Sequence, residues 1–194
     1  MKKFLKHANR GIIVSVIIIM GILTYLTATA VSQGREKPAI ETVCREYIAA
    51  EIQFSLLPEQ YRTLESDMTE EQFEAYLQKL ETTLLPFYID NDRIREIAYE
   101  QLSNYLESQL MNQAPVLSYE KTILSFDSFI FDGSQVTVEL TTQSTIELPE
   151  NKNFGEPGGR IAGETTDHIV LEKVSNQWLV VYASLSQPHR SHRY

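Results

Sequence analysis

Hydrophobic and polar positions divide this chain into three parts with different patterns. Residues 11–31 form an apolar run without a charged residue. From residue 38 to about 114 apolar residues recur at helical spacing, and from 116 to 184 apolar and polar residues mostly alternate. These patterns predict one apolar helix followed by an α+β domain, in which about three helices pack on a four-stranded antiparallel sheet.

The apolar run is long enough to cross a bilayer. Its 21 residues would span roughly 30 Å as a helix, the thickness of the hydrocarbon core. Lys2, Lys3, Lys6 and Arg10 precede it, so the positive-inside rule predicts a cytoplasmic segment 1–10, a membrane helix 11–31 and an exported remainder. Ala28-Thr29-Ala30 is typical of a signal-peptidase site, so cleavage after Ala30 and secretion is the alternative to a retained anchor.

The remaining boundaries follow from local signals. Residues 32–37 are polar and predict a linker, and Pro38 suits the first turn of a helix that ends near Leu57. Thr69 to Gln72 has the composition of a capping box at the start of a second helix. A third helix is expected from about Asp90 or Asn91 to a residue before Pro115. The α+β domain is predicted to occupy 38–185, followed by a flexible tail 186–194.

The second half of the domain shows strand signals. Val116 to Phe131 is rich in β-branched and aromatic residues, and Asp132-Gly133 is a strong hairpin signal. Further strands are expected over 135–148, 161–174 and 177–184, with a turn at Ser175-Asn176. The aromatic residues of these strands are predicted to form core: Tyr119, Phe126, Phe129, Phe131, Trp178 and Tyr182.

Charge and cysteine content exclude several classes of protein. All 26 acidic residues follow residue 35, whereas 4 of the 17 basic residues lie in 1–10, which leaves the rest of the chain with a net charge of −13. An acidic domain argues against binding to nucleic acid. Cys44 is the only cysteine, so no internal disulfide can form.

The order of elements and the two-strand ending resemble the nuclear-transport-factor-like and SnoaL-like cone fold. The ending is His168 to Lys173, a turn, and then Gln177 to Val180 with Trp178 among alternating aliphatic residues. The resemblance covers roughly Pro38 to Ser184. It implies helices on one face of a bent antiparallel sheet, and it includes membrane-anchored assembly modules of bacterial cell envelopes. A fold of this kind does not by itself specify a function.

Two residues are candidates for acid–base chemistry. Glu51 follows Tyr47 by one turn on the first helix of the domain, and a carboxylate that faces the cavity of a cone fold can act as a general base. A position at the solvated edge of the helix is the more common case for a carboxylate and is the favoured interpretation. His168 could meet Glu51 or a tyrosine across the cavity, but a lone histidine is more often structural or exposed. Asp167 and His168 cannot form a dyad, because neighbouring strand residues point to opposite faces.

No metal or cofactor site is predicted. His189 and His192 lie three apart near the terminus, but a metal site needs three or four ligands. Catalytic sequence motifs with defined spacing are absent from the sequence. We therefore expect a non-enzymatic, membrane-anchored extracytoplasmic domain that binds a protein partner at the bacterial cell envelope. The alternative is binding of a small apolar ligand, or acid–base catalysis, in a cone-fold cavity.

Overall fold

The computed structural model describes residues 10–63, 68–111, 115–150 and 158–188. Its helices are α1 (Arg10–Phe54), α2 (Glu70–Leu84) and α3 (Asp92–Met111), with short 3₁₀ turns at Glu59–Tyr61 and Leu85–Phe87. Its strands are β1 (Ser118–Asp132), β2 (Gln135–Leu148), β3 (Gly159–Val174) and β4 (Gln177–Ser184). The predicted α+β class, with helices followed by a four-stranded antiparallel sheet, is confirmed.

The chain forms two compact units, Met1–Pro38 and Ala39–Tyr194. In the first unit the apolar part of α1 is solvent-exposed from Val14 to Leu26. Among the described residues, α1 is the one helix long and apolar enough to cross a membrane, by length and composition alone. An apolar surface of this kind in a single helix is typical of a membrane segment.

The polar residues 32–37 are helical, which corrects the prediction of a linker that ends at a new helix start. Pro38 lies inside α1 and not in its first turn. The reason is local: Gln33, Arg35 and Lys37 are polar, but they have high helix propensity. The polar character of residues 32–37 therefore does not mark an end of α1.

The starts of α2 and α3 are fixed by side-chain caps. The amide of Gln72 donates to Thr69 Oγ1 at 3.3 Å, and the amide of Thr69 donates to Gln72 Oε1 at 3.0 Å, so the predicted capping box is present. Before α3, Asn91 Oδ1 accepts a hydrogen bond from the amide of Ile94 at 3.2 Å. Each cap satisfies amides that lack a partner in the first turn of a helix.

The sheet is a meander in the order β1-β2-β3-β4, with every neighbouring pair antiparallel. Gly133 has a φ of 59° in the first hairpin, and Ser175 and Asn176 have φ values of 48° and 69° in the last one. These left-handed conformations match the twist of two-residue hairpin turns. Bulges in β1 at 124 and 127 bend the strand, because each adds a residue that has no partner in β2.

One face of the sheet packs against the helices and the other faces solvent. The packed face is continuous with the core of the domain, which includes Tyr47, Phe54, Leu80, Leu84 and Leu106 from the helices. Cys44 is buried in the same core, and burial raises the pKa of its thiol to about 12. The thiol is therefore protonated at physiological pH.

The prediction of an aromatic core is wrong for one residue. Tyr182 is 56% exposed on the solvent face, where the strand register places it in one row with Ile130, Thr137 and Val170. A bulge between Val170 and Leu171 shifts the alternation of β4, so Val180 and Trp178 point inward while Tyr182 points outward. Tyr119 and Trp178 are buried as expected, and Phe126, Phe129 and Phe131 are half-buried against the core.

Candidate functional site

The inner face of the sheet has two ends with different chemistry. Near the first and last hairpins, β2 and β3 carry aliphatic side chains on this face, here termed the apolar end: Val136, Val138, Leu140, Ile169 and Leu171. Further along the same strands it carries fully buried polar side chains, here termed the polar end: Lys121, Thr142, Ser144 and Asp167. In β2 and β3, every second side chain points to this inner face, and the residues of both ends on these two strands belong to that inward-pointing set.

The polar end contains a buried ion pair. Lys121 Nζ lies 2.7 Å from Asp167 Oδ2, and both side chains are 0% exposed. Asp167 Oδ2 also accepts from the Thr142 hydroxyl at 2.7 Å, and Asp167 Oδ1 accepts from the amide of Ser186 at 2.6 Å. These bonds compensate the loss of water around the carboxylate, which is the condition for a buried charge to be tolerated.

The segment after β4 is attached to this ion pair. Lys121 Nζ donates to the carbonyl of Ser186 at 2.8 Å, and Gln187 Nε2 donates to the Tyr105 hydroxyl at 3.2 Å. Pro188 is buried. The sequence pattern predicted a flexible tail from residue 186, but residues 186–188 are held by polar contacts that hydrophobic periodicity does not reveal. Residues 189–194, including His189 and His192, lie outside the described residues.

A small cavity of about 150 Å³ lies beside the polar end. It is partly open to solvent and has room for several water molecules or a compound of a few non-hydrogen atoms. Ala98, Leu102 and Ala183 form its apolar wall, and its polar lining comes from α1, α3 and the segments before α3 and after β4: Tyr47, Glu51, Ser55, Tyr88, Gln101, Tyr105 and Gln187. This lining favours a small polar ligand over the apolar ligand expected in the alternative prediction.

Glu51 is the titratable acid of this cavity. The residue keeps partial exposure, but its Oε2 atom is buried and has no hydrogen-bond partner. Loss of water raises the pKa of the Glu51 carboxyl to about 7, against opposing effects of the Tyr47 hydroxyl and the Lys121 ammonium. Asp167 adds a smaller upward shift of that pKa. Glu51 therefore lies inside the cavity and not at a solvated edge of the helix.

Three tyrosines surround the same space. The hydroxyls of Tyr47 and Tyr88 are 2.7 Å apart in a buried hydrogen bond. Burial raises the pKa of Tyr47, Tyr88 and Tyr105 above the usual value for tyrosine, so all three stay neutral hydroxyls at physiological pH. Sequence analysis did not identify this group, although Tyr47 lies one turn before Glu51 on the buried stripe of α1.

His168 is not part of the cavity. Its side chain is exposed on the outer face of β3, opposite Glu139 of β2 and Ser184 of β4. Asp167 points to the inner face, so the two neighbours are on opposite sides as predicted. His168 therefore does not meet Glu51 or a tyrosine of the cavity, and its exposed position is the more common one for a lone histidine. In the described part of the chain, no three histidine, cysteine, aspartate or glutamate side chains come together in a way that could hold a metal ion.

A second concave surface lies between α2, α3 and the first residues of β4, here termed the groove. It measures about 1070 Å³ and is open to solvent. Leu85, Pro86, Tyr99 and Leu179 provide apolar lining. The charged lining residues are Glu81, Asp92, Glu96 and Arg95, and the guanidinium of Arg95 is paired with Asp90 at 2.7 Å. The groove is therefore apolar with an acidic rim.

Of the comparisons with known proteins, the comparison with solved structures found similar chains, and those with protein families and curated proteins did not. No protein-family model and no curated protein matches the chain. The intermembrane-space region of the chloroplast protein ARC6 aligns over 61% of this chain and 97% of its own length, with 18% identity and a TM-score of 0.34. A putative calcium/calmodulin-dependent protein kinase II association domain from Xanthomonas campestris aligns over 70% of this chain and 99% of its own, with 13% identity and a TM-score of 0.26. Because both TM-scores are below 0.5, these likenesses assign neither a fold family nor a function.

Proposed function

We propose that this protein is a non-enzymatic accessory protein of the bacterial cell envelope, whose domain binds a basic segment of a partner protein in the groove. The observation that carries the proposal is the groove itself, a large concave surface with apolar lining and an acidic rim. Concave apolar surfaces with a polar rim are the usual docking sites of extended peptides and of partner side chains.

The negative charge of the groove favours a partner segment that carries positive charge. Glu81, Asp92 and Glu96 contribute negative charge, and the one basic lining residue is already paired with Asp90. A segment that combines lysine or arginine with an aliphatic or aromatic side chain would match both the rim and the apolar lining. Complementary charge of this kind mainly increases the association rate and the specificity.

The N-terminal part of the chain supports a position at the membrane. The apolar surface of α1 suits a single crossing, and by the positive-inside rule the basic residues before it support a C-terminal domain outside the cytoplasm. The helices on one face of a four-stranded meander support the additional proposal that the domain is a variant of the cone fold.

The proposal is tested by site-specific photocrosslinking of the full chain in cells. A photoreactive amino acid replaces Thr82, which is exposed in the groove, or His168, which is exposed on the outer face of the sheet. We expect a discrete crosslinked partner from position 82 and none from position 168.

Charge reversal then links the crosslink to the groove. Glu81→Lys with Glu96→Lys reverses two charges of the rim and should abolish the crosslink. The matched control, Glu74→Lys with Glu100→Lys, makes the same charge change on exposed positions of α2 and α3 outside the groove lining. A crosslink that both double variants lose equally, or that neither loses, would contradict the assignment of the groove.

A further inference from the structure

The cavity beside the polar end contains a carboxylate with one oxygen that no donor of the chain reaches, although a hydrogen bond with Tyr47 lowers the pKa of the group. Glu51 Oε2 is buried and has no hydrogen-bond partner. An acceptor in this position costs free energy unless a donor reaches it from outside the chain. Such an atom in the lining of a cavity therefore points to a missing donor.

The buried ammonium of the polar end does not bond to this oxygen. Lys121 Nζ is already bonded to Asp167 Oδ2 at 2.7 Å and to the carbonyl of Ser186 at 2.8 Å. A second carboxylate, Asp167, acts on Glu51 with the same sign of charge. The two carboxylates and one ammonium leave one unit of negative charge at this end of the domain when Glu51 is ionised, which disfavours an anionic ligand.

The remaining lining fits a compact cation. An ammonium group has three donors and a small radius, so one donor can reach Glu51 while others reach neutral oxygens. The hydroxyl oxygens of Tyr47, Tyr88 and Tyr105 can accept such bonds, and Ala98 and Leu102 offer a short apolar wall for a carbon chain. The volume of about 150 Å³ limits the ligand to a few non-hydrogen atoms.

We propose that this cavity binds a small primary alkylammonium ion, with the Glu51 carboxylate as its counter-ion and the hydroxyls of Tyr47, Tyr88 and Tyr105 as further acceptors. The site is separate from the groove, so this inference does not depend on the proposed protein partner.

The charges around Glu51 predict how binding depends on pH. Burial raises the pKa of Glu51 to about 7, the hydroxyl of Tyr47 on α1 and the ammonium of Lys121 on β1 oppose this rise, and the carboxylate of Asp167 on β3 adds to it. The other titratable groups that interact with Glu51 are the hydroxyls of Tyr88 before α3 and Tyr119 on β1. The carboxyl is thus mostly ionised at pH 8 and mostly protonated at pH 5, so the affinity for a cation should fall by about 100-fold between these pH values.

The test uses the full chain in detergent micelles, with tyrosines carrying a carbon-13 label for NMR. Propylammonium chloride is the cationic probe, and 1-propanol is a neutral probe of the same size. We expect saturable shifts of the Tyr47, Tyr88 and Tyr105 signals with propylammonium at pH 8, much weaker binding at pH 5, and no comparable response to 1-propanol.

Two variants assign the counter-ion. Glu51→Gln keeps the shape of the side chain and removes its charge, and it should abolish saturable binding. Glu46→Gln removes one charge from an exposed position of the same helix and should bind like the wild type, which also controls for adsorption of the cation to micelles. If Glu51→Gln does not fold, the pH dependence of the wild type tests the same claim. Absence of saturable shifts, equal binding by Glu51→Gln, or equal binding of 1-propanol would overturn the proposal.

Discussion

The apolar end and the polar end of the inner sheet face share strands β2 and β3 and are equally buried, but they are stabilised in different ways. Val138 and Ile169 gain free energy by leaving water, in proportion to the apolar area that they bury. Thr142 and Asp167, a few residues away on the same face, depend on specific partners across β1 and the segment after β4. Burial alone therefore does not distinguish a packed core from a polar site.

The difference bears on function. Replacing a buried ion pair by apolar residues is often neutral or stabilising, so such a pair is weak evidence for a role in stability. Here the pair also holds Ser186 and lies beside the cavity that contains Glu51. The polar end thus holds the segment that carries Gln187 into the lining of the cavity, whereas the apolar end packs the sheet against the helices.

The largest effect should come from removing the acid of the ion pair. Asp167→Ala leaves the Lys121 ammonium buried without its counter-ion and should lower the free energy of unfolding by about 3–5 kcal/mol. Urea denaturation of the full chain in detergent measures this loss. Glu164→Ala, at an exposed position of β3, should change the free energy of unfolding by less than about 0.5 kcal/mol.

The double variant Lys121→Met with Asp167→Leu sharpens this prediction. It removes both charges and should recover most of the loss, because no unpaired ion remains. If the single variant Asp167→Ala is as stable as the wild type, the ion pair is not buried as described.

The next largest effect concerns the pH dependence of stability through Glu51. Its carboxyl binds a proton more tightly in the folded chain, where its pKa is about 7, than in the unfolded chain, where the pKa is 4.5. This contribution is present at low pH and is lost as pH rises from about 4.5 to 7. The difference in free energy of unfolding between Glu51→Gln and the wild type should therefore shift by about 2–3 kcal/mol in favour of the variant when the pH is raised from 4.5 to 8. Urea denaturation at both pH values measures the shift, and Glu46→Gln should show none.

The smallest effects come from two reciprocal substitutions on the inner face of β2. Val138→Thr places a hydroxyl in the apolar end and should lower the free energy of unfolding by about 1–3 kcal/mol, because the neighbouring inner side chains Leu140 and Ile169 are aliphatic. Thr142→Val removes one of the bonds to Asp167 and should cost about 1 kcal/mol. Stabilisation by Thr142→Val, measured in the same urea titration, would mean that the polar end gains nothing from this bond.

Much of the fold could be predicted because its signals are local. The capping box at Thr69, the turn at Ser175-Asn176 and the period of two in β2 each depend on neighbouring residues, and each is present. The continuation of α1 through 32–37 was missed because polar residues can be helical. The inward and outward positions of β4 were missed where a bulge interrupts the alternation.

The candidate site could be predicted only in part, because its contacts are distant in sequence. Glu51 was named as a candidate, although the favoured interpretation placed it at the solvated edge of the helix. Lys121, Asp167 and Ser186 were not named as a group, because they meet only through the sheet. One signal was available: Asp167 occupies an inner position of the alternation that continues with Ile169 and Leu171. A charge in that position implies a buried partner. Gln109 gave a similar signal on α3, seven residues after Leu102, and it joins the Ser55 carbonyl to the Val116 amide.

The central claim is that the Glu51 carboxyl is buried in the lining of a cavity and that its Oε2 atom has no hydrogen-bond donor. A pH titration of the carboxyl carbon-13 signals of glutamate in the full chain, with the Glu51 signal assigned by its absence in Glu51→Gln, measures this directly. The structure predicts a titration midpoint near pH 7 for Glu51. A midpoint near 4.5, the ordinary value for an exposed glutamate, would show that the carboxyl is solvated and would contradict the account.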